Sequence, residues 1–163
     1  MKIICINQRP GIGDLILFSG FMRSIASKYN CPVSILAKKN TKADQILKNN
    51  KDFDQIIYLD RSADKTGSHD GLGFFRLVSE IRKHKFDKAF IFNSSLRYRL
   101  LAILSGIKEI HQYTLGLKKD NVINSAKKLT EKVLKEKVST EPFINVDQDL
   151  VDAAKTKYNI SKE

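Results

Sequence analysis

The sequence predicts an α/β fold: a Rossmann-like parallel sheet with helices on both faces. Short apolar runs alternate with segments of helical periodicity, most connections between them are short, and turns rich in glycine, serine or asparagine follow the apolar runs. Strands that alternate with helices in this way pair in parallel, joined by crossover helices. We therefore expect the polar turns to gather at the carboxyl edge of one sheet, where such sheets bind ligands.

The first unit is a strand, a glycine-containing turn and a helix. Residues 3–6 form an apolar run typical of a buried strand, and Pro10, Gly11 and Gly13 prevent its continuation. From Asp14 onward, apolar residues recur at three- and four-residue steps, which predicts a helix with one apolar face. Those residues are Leu15, Phe18, Met22, Ile25 and Tyr29.

The rest of the chain continues the alternation. Further strands are predicted at 33–37, 55–59, 88–92 and 109–113. Further helices are predicted at 41–47, 74–84, 97–104, 121 to about 137, and 147–158. Asn40 or Thr41 is expected to cap the helix at 41–47, and Gly106 to follow the end of the helix at 97–104. The long polar loop at 60–73 leaves the carboxyl end of a strand, and loops of that length are usually functional or disordered.

Length and composition indicate one domain. A chain of 163 residues can bury its own core. Its apolar runs are much shorter than the roughly 20 residues that span a bilayer, and the run at 3–6 is too short for a signal peptide. We expect a cytoplasmic protein in which Cys5 and Cys31 are reduced, partly buried thiols.

The net charge of +11 has two interpretations. It fits an anionic partner, such as a phosphorylated substrate or a membrane surface. It also fits a lysine-rich composition with solvated lysines on every helix, and the densest run, residues 118–137, is interleaved with acids. Nucleic-acid binding is not expected, because aromatic residues are not interleaved with a basic strip.

The first turn ends at an acid, Asp14, which has two interpretations. The turn lacks the Gly-Lys-Ser/Thr of a P-loop and the third glycine of the dinucleotide fingerprint. Asp14 is either a capping or first-turn acid stabilised by the helix dipole, or a carboxylate at the sheet edge that accepts a proton from a bound hydroxyl. The residues alone leave both open.

The turn at 93–97 is the second candidate site. Ser94 or Ser95 could simply cap the following helix, and Arg97 could be solvated. Together, the hydroxyls, the helix N-terminus and the guanidinium could instead form an anion-binding corner. Arg61, in the long loop, is a further candidate. No histidine spacing indicates a metal site.

Four stretches resemble glycosyltransferase family 9, the bacterial lipopolysaccharide heptosyltransferases. They are the Gly-Ile-Gly-Asp turn with its apolar helix ending Phe-Met-Arg, the turn into the third strand, the fourth strand, and the Ser-Leu-Arg helix with the strand after it. They occupy residues 6–23, 49–57, 85–93 and 94–110, in the family's order. One departure is Gly20, where the family usually has proline, and we expect it to loosen the first helix.

The resemblance implies one half of a GT-B architecture, which has two facing Rossmann-like domains. It implies an inverting transfer without metal or cofactor, in which Asp14 is the general base toward the acceptor hydroxyl. The acceptor would be an anionic lipid A–core sugar, bound by residues of the two turns and the long loop. These acceptor-binding residues are Arg9, Gly11, Gly13, Arg61, Ser94 and Arg97.

The resemblance covers the family's N-terminal half only. We expect residues 1–140 to form the acceptor-binding domain and residues 141–163 to be a linker and terminal helix leading toward an absent donor domain. That domain would bind the nucleotide-sugar donor, of the ADP-heptose type, and contact with the inner membrane would be peripheral. The chain would then be a truncated or split glycosyltransferase. The alternative is a non-catalytic Rossmann-like module that binds a phosphorylated or anionic ligand.

Overall fold

The computed structural model describes residues 1–48, 50–59, 71–113, 121–143 and 148–159. The strands are β1 (Ile3–Ile6), β2 (Val33–Lys38), β3 (Phe53–Leu59), β4 (Lys88–Ile91) and β5 (Glu109–Gln112). The helices are α1 (Ile12–Tyr29), α2 (Ala43–Ile46), α3 (Leu72–His84), α4 (Leu96–Leu104), α5 (Val122–Leu134) and α6 (Gln148–Tyr158), with a 3₁₀ turn at Lys39–Thr41.

The five strands form one parallel sheet in the order β3-β2-β1-β4-β5. Strand β1 is central and fully buried, with Ile6 paired to Leu36 on one side and to Ile91 on the other. The chain adds strands on one side of β1 and then on the other, so the order reverses between β1 and β4. In open α/β sheets, this reversal opens a crevice beyond the carboxyl ends of the two strands.

Helices cover both faces of the sheet, as predicted. Alternate residues of β1 enter different cores: Ile3 and Cys5 pack with α1 and α5, whereas Ile4 and Ile6 pack with α3 and α4. Burial of these two apolar layers is the main stabilising term of such a fold. The predicted α/β, Rossmann-like fold class is confirmed.

The bounds of the strands agree with the prediction to within two residues, but one predicted helix is wrong. The segment 41–47 is not a single helix, because Lys42 adopts a left-handed conformation (φ 53°) between the 3₁₀ turn and α2. Neither Asn40 nor Thr41 caps a helix there; the Thr41 hydroxyl donates to the Lys38 carbonyl at 2.6 Å. Helix α5 also ends earlier than predicted, with Lys135 left-handed (φ 56°) after Leu134.

Helix α1 is continuous through Gly20, so the expected loosening does not occur. Instead, the segment 139–143 crosses the helix at this residue. The buried Ser19 hydroxyl contacts both polar backbone atoms of Phe143: it donates to the carbonyl (2.6 Å) and accepts from the N–H (3.0 Å). The Arg23 guanidinium lies 3.7 Å from the centre of the Phe143 ring. Residues 139–143 are therefore attached to the first helix, and the predicted domain boundary at residue 140 stays a prediction.

The two cysteines are both free thiols, Cys5 buried and Cys31 half-buried. No helix within the described ranges is long and apolar enough to cross a membrane.

Candidate functional site at the carboxyl edge of the sheet

The turns after β1 and β4 leave the sheet side by side. The Asn7 N–H donates to the Leu36 carbonyl and the Phe92 N–H to the Ile6 carbonyl, each at 3.0 Å, so both chains remain hydrogen-bonded up to this edge. Residues 7–14 and 93–97 therefore border the crevice between β1 and β4, which is the ligand-binding position of this fold. The structure brings the two predicted turns together.

Asp14 lies in the first turn of α1 and is not its N-cap. The cap position is occupied by Gly11, whose φ of 101° strongly favours glycine. The Asp14 carboxylate accepts a hydrogen bond from Arg9 Nε at 2.8 Å, and both side chains are partly exposed (27% and 34%). Arg9 thus holds the carboxylate at the edge of the crevice. Around Gly13, a Cβ would meet no atom within 4 Å, so this glycine is not required by packing.

Several side-chain hydrogen bonds hold the turn after β4 in place. The Asn93 side-chain oxygen accepts from the Ser95 N–H (2.7 Å), and the Ser95 hydroxyl caps α4 by accepting from the Arg97 N–H (3.3 Å). Ser95 is therefore the cap, and Ser94 is exposed. From β5, Gln112 Nε2 donates to the carbonyls of Asn93 (2.8 Å) and Ser95 (2.9 Å). The neighbouring strand thereby braces the turn.

Arg97 is not simply solvated. Its guanidinium lies 4.8 Å from the centre of the Phe74 ring, a cation–π distance. Its Nη2 atom is buried and has no hydrogen-bond partner among the residues that the structure describes. A buried, unsatisfied guanidinium nitrogen is costly unless an anion or water supplies the acceptor. This is the feature expected of an anion-binding corner.

The sequence interpretation missed Tyr113, which directly follows β5 at the same edge. Its hydroxyl is also buried without a hydrogen-bond partner in the described ranges, and its ring lies 6.4 Å from that of Phe92. Burial raises the pKa of Tyr113, and the nearby positive charge of Arg9 acts in the opposite direction. The hydroxyl therefore stays protonated, as a donor near the Arg9–Asp14 pair. Its position at the end of a strand was the only signal in the sequence.

Arg61 is the one proposed acceptor-binding residue that lies outside the described residues. Within those residues, no group of three His, Cys, Asp or Glu side chains is arranged to hold a metal ion. His111 pairs with Glu109 at 2.8 Å, and His84 with Gln55 at 3.1 Å. Both histidines thus have structural partners.

No family model matches the sequence, and no curated protein matches it either. Solved structures do match. A family 9 glycosyl transferase from Veillonella parvula superimposes with a TM-score of 0.71 over 98% of this chain and 50% of its own, at 14% identity. The fold is that of one half of a family 9 glycosyltransferase. The ADP-heptose lipopolysaccharide heptosyltransferase II of E. coli matches with a TM-score of 0.65, also at 14% identity, over 100% of this chain and 52% of its own.

The chain spans about half the length of both solved glycosyltransferases. The resemblance of its sequence to glycosyltransferase family 9 is confirmed at the level of the fold. At 14% identity, a match of this kind establishes the architecture alone.

Proposed function

We propose that this chain is the acceptor-binding half of a heptosyltransferase-like glycosyltransferase, with Asp14 as its general base. The observation that carries the proposal is the position of the Asp14 carboxylate, partly exposed at the crevice between β1 and β4. The reaction transfers a sugar from an ADP-heptose-type donor to a lipopolysaccharide inner-core acceptor with inversion. It would take place in the cytoplasm, at the inner face of the membrane that holds the acceptor.

The chemistry requires one carboxylate on the acceptor side. The acceptor hydroxyl attacks the anomeric carbon opposite the leaving nucleoside diphosphate, and its proton passes to Asp14 as the new bond forms. Because Arg9 occupies Oδ1, the Oδ2 atom is left for the proton. The departing diphosphate would be stabilised by the donor-binding half of the GT-B architecture.

Recognition of the acceptor rests on its negative charge. Arg97, with its unsatisfied Nη2, supplies a cation at the second turn. Arg9, Gly11, Gly13, Ser94 and Arg61 complete the proposed acceptor site. The net charge of +11 would attract such an acceptor from a distance.

The test is reconstitution with the C-terminal half of a heptosyltransferase supplied in trans, followed by transfer from ADP-heptose. Asp14→Asn should lower the rate by about 10²–10⁴, the usual contribution of a positioned general base. The matched control is Asp52→Asn, because Asp52 also pairs with an arginine, Arg23 (3.3 Å), away from the crevice. The control should keep full activity. Equal rates for the two variants would exclude Asp14 as the base.

The alternative, a non-catalytic module that binds a phosphorylated or anionic ligand, is favoured by one observation. Arg97 has a buried nitrogen without an acceptor, whereas Asp14 already has a partner, Arg9. In calorimetric titrations with a phosphorylated inner-core oligosaccharide, this alternative expects Arg97→Gln to abolish binding. Asp14→Asn and the exposed neighbour Arg99→Gln should leave it unchanged. Binding of that pattern without turnover in any reconstitution would favour the module over the transferase.

A further inference from the structure

Helix α4 is apolar on both sides. Its inner side packs in the core through three buried residues, Tyr98, Leu101 and Ala102. Its outer side should be polar in a helix that faces only water. Instead, Leu96, Leu100 and Ile103, spaced four and three residues apart, are 63%, 48% and 52% exposed. One outward stripe of the helix is thus entirely aliphatic.

Helix α3 also carries exposed apolar residues, since Leu72 and Phe75 are 75% and 62% exposed. The two helices lie side by side: Arg97 contacts the Phe74 ring near their N-termini, and the Ser105 hydroxyl donates to the Val78 carbonyl (3.3 Å) farther along. We call the five exposed residues together the α3–α4 face. They are Leu72, Phe75, Leu96, Leu100 and Ile103.

The surroundings of the α3–α4 face are basic. Exposed cations on the same two helices are Arg76, Arg82, Lys83 and Arg99. The helices carry a single acid, Glu80. An exposed apolar surface with lysine and arginine on the same helices matches the two layers of an anionic bilayer, which are the acyl chains and the negative headgroups.

We propose that the α3–α4 face docks on a bilayer that contains anionic phospholipid. A protein partner would also cover apolar side chains, but the excess of cations around this face selects a negatively charged surface. Helix α4 begins directly after Ser95, the residue that caps it from the crevice turn. Docking there would bring the candidate site to the membrane surface, where a lipid-linked acceptor would be held. In this respect the proposal rests on the proposed function.

The test is co-sedimentation of the full chain with vesicles. Binding should be strong to phosphatidylcholine vesicles that contain phosphatidylglycerol and weak to phosphatidylcholine alone, and it should fall as salt is raised. Leu100→Gln with Ile103→Gln should weaken binding to the anionic vesicles about tenfold, because two inserted aliphatic side chains are lost. Both residues are half-exposed, so the unfolding midpoint should barely change.

The matched control is Leu150→Gln on α6, since Leu150 is also an exposed aliphatic residue (68%) but lies outside the α3–α4 face. It should sediment like the unaltered chain. Absence of binding to anionic vesicles, or equal binding by the double variant, would overturn the proposal. The proposal would also be overturned if light scattering detected a dimer of the unaltered chain that the double substitution dissociates and Leu150→Gln does not. The α3–α4 face would then bind a second copy of the chain. Sugar transfer to a soluble, deacylated acceptor can be measured without vesicles and does not depend on membrane docking. Failure of the docking proposal can therefore be distinguished from failure of the proposed function.

Discussion

The Cα of Gly20, in the middle of α1, faces the carbonyl oxygen of Glu141 so closely that a Cβ at residue 20 would overlap that oxygen. The obstacle is backbone and cannot rotate away. Together with the hydrogen bonds of Ser19 to Phe143, this contact determines where the chain crosses the first helix. A small residue is required there, although glycine has a low helix propensity.

We expect Gly20→Ala to lower the free energy of unfolding by about 1–3 kcal/mol, because overpacking against a backbone atom exceeds the roughly 1 kcal/mol gained in helix propensity. The control is Gly13→Ala, in the same helix, where a Cβ would meet nothing within 4 Å. That variant should gain about 0.5–1 kcal/mol. Urea denaturation measures both. A similar gain in the two variants would mean that the crossing at residue 141 is not tightly held.

Gln112 holds the turn after β4 from the neighbouring strand, through hydrogen bonds to the Asn93 and Ser95 carbonyls. Gln112→Leu should cost about 1 kcal/mol of stability and speed amide hydrogen exchange at Arg97, whose N–H is held by Ser95.

The control for Gln112→Leu is Gln55→Leu, since Gln55 also makes a side-chain hydrogen bond, with His84, away from the crevice. It should cost a similar amount of stability without changing exchange at Arg97. If both variants leave this exchange rate unchanged, Gln112 does not brace the turn.

The two thiols should differ sharply in reactivity. Cys5 is fully buried in β1, and burial, followed by the nearby Cys31, raises its pKa far above the ordinary value. In the native protein, a thiol reagent at mildly alkaline pH should therefore modify Cys31 alone, with Cys5 reacting only after unfolding. Cys31→Ser should abolish the native reaction. Rapid modification of Cys5 in that variant would contradict the buried position of β1.

The same shift gives a pH dependence with a definite sign. The folded pKa of Cys5 lies above its unfolded value of about 8.5. The stabilisation is therefore complete below about pH 8.5 and decreases as the pH rises above it, because the unfolded chain then releases a proton that the folded chain retains. In thermal unfolding experiments, the Tm of Cys5→Ala should not show this decrease at alkaline pH.

The carboxyl of Glu109 should titrate below its ordinary range. A hydrogen bond from Lys88 lowers its pKa, burial opposes this, and His111 adds a smaller lowering. The resulting stabilisation is present above the unfolded value of about 4.3 and is lost as the pH falls through the folded pKa. Because Glu109 is half-exposed, it amounts to less than about 1 kcal/mol.

Carbon-detected NMR titration of Glu109 measures this pKa directly. Lys88→Met should raise it toward the ordinary value. Lys28→Met, which removes the partner of Glu136 instead, should not change it. An unshifted Glu109 in the unaltered protein would show that the pair with Lys88 is not populated.

The sequence predicted the sheet well because its signals are local. Four of the five strands contain a short apolar run, and Gly106, with φ of 84°, follows the end of α4 as the pattern indicated. The helix at 41–47 failed because a lysine, Lys42, adopts a left-handed conformation that its residue type does not announce. The crossing of α1 could not be foreseen either, since Ser19 and Phe143 are 124 residues apart.

The candidate site was predicted in part. Both turns were placed at one edge, because parallel strands end together. The Arg9–Asp14 ion pair depends on an irregular turn, in which Gly11 has a positive φ, so its geometry could not be derived from spacing. Tyr113 and Gln112 belong to no motif, and only the order of the strands places them beside the crevice.

The crevice is built from two segments, residues 7–14 and 93–97, that meet only because β1 pairs with β4. Pairing of β1 with β4 closes a long loop of chain, and the entropic cost of this closure precedes the contacts that compensate for it. The pairing should therefore form late in folding. The half-sheet of β1, β2 and β3 can form from nearer neighbours in the chain. Ligand binding at the crevice should then be the last property to recover during refolding. Its recovery would report, in real time and without an added label, when β4 and β5 dock against the half-sheet of β1, β2 and β3.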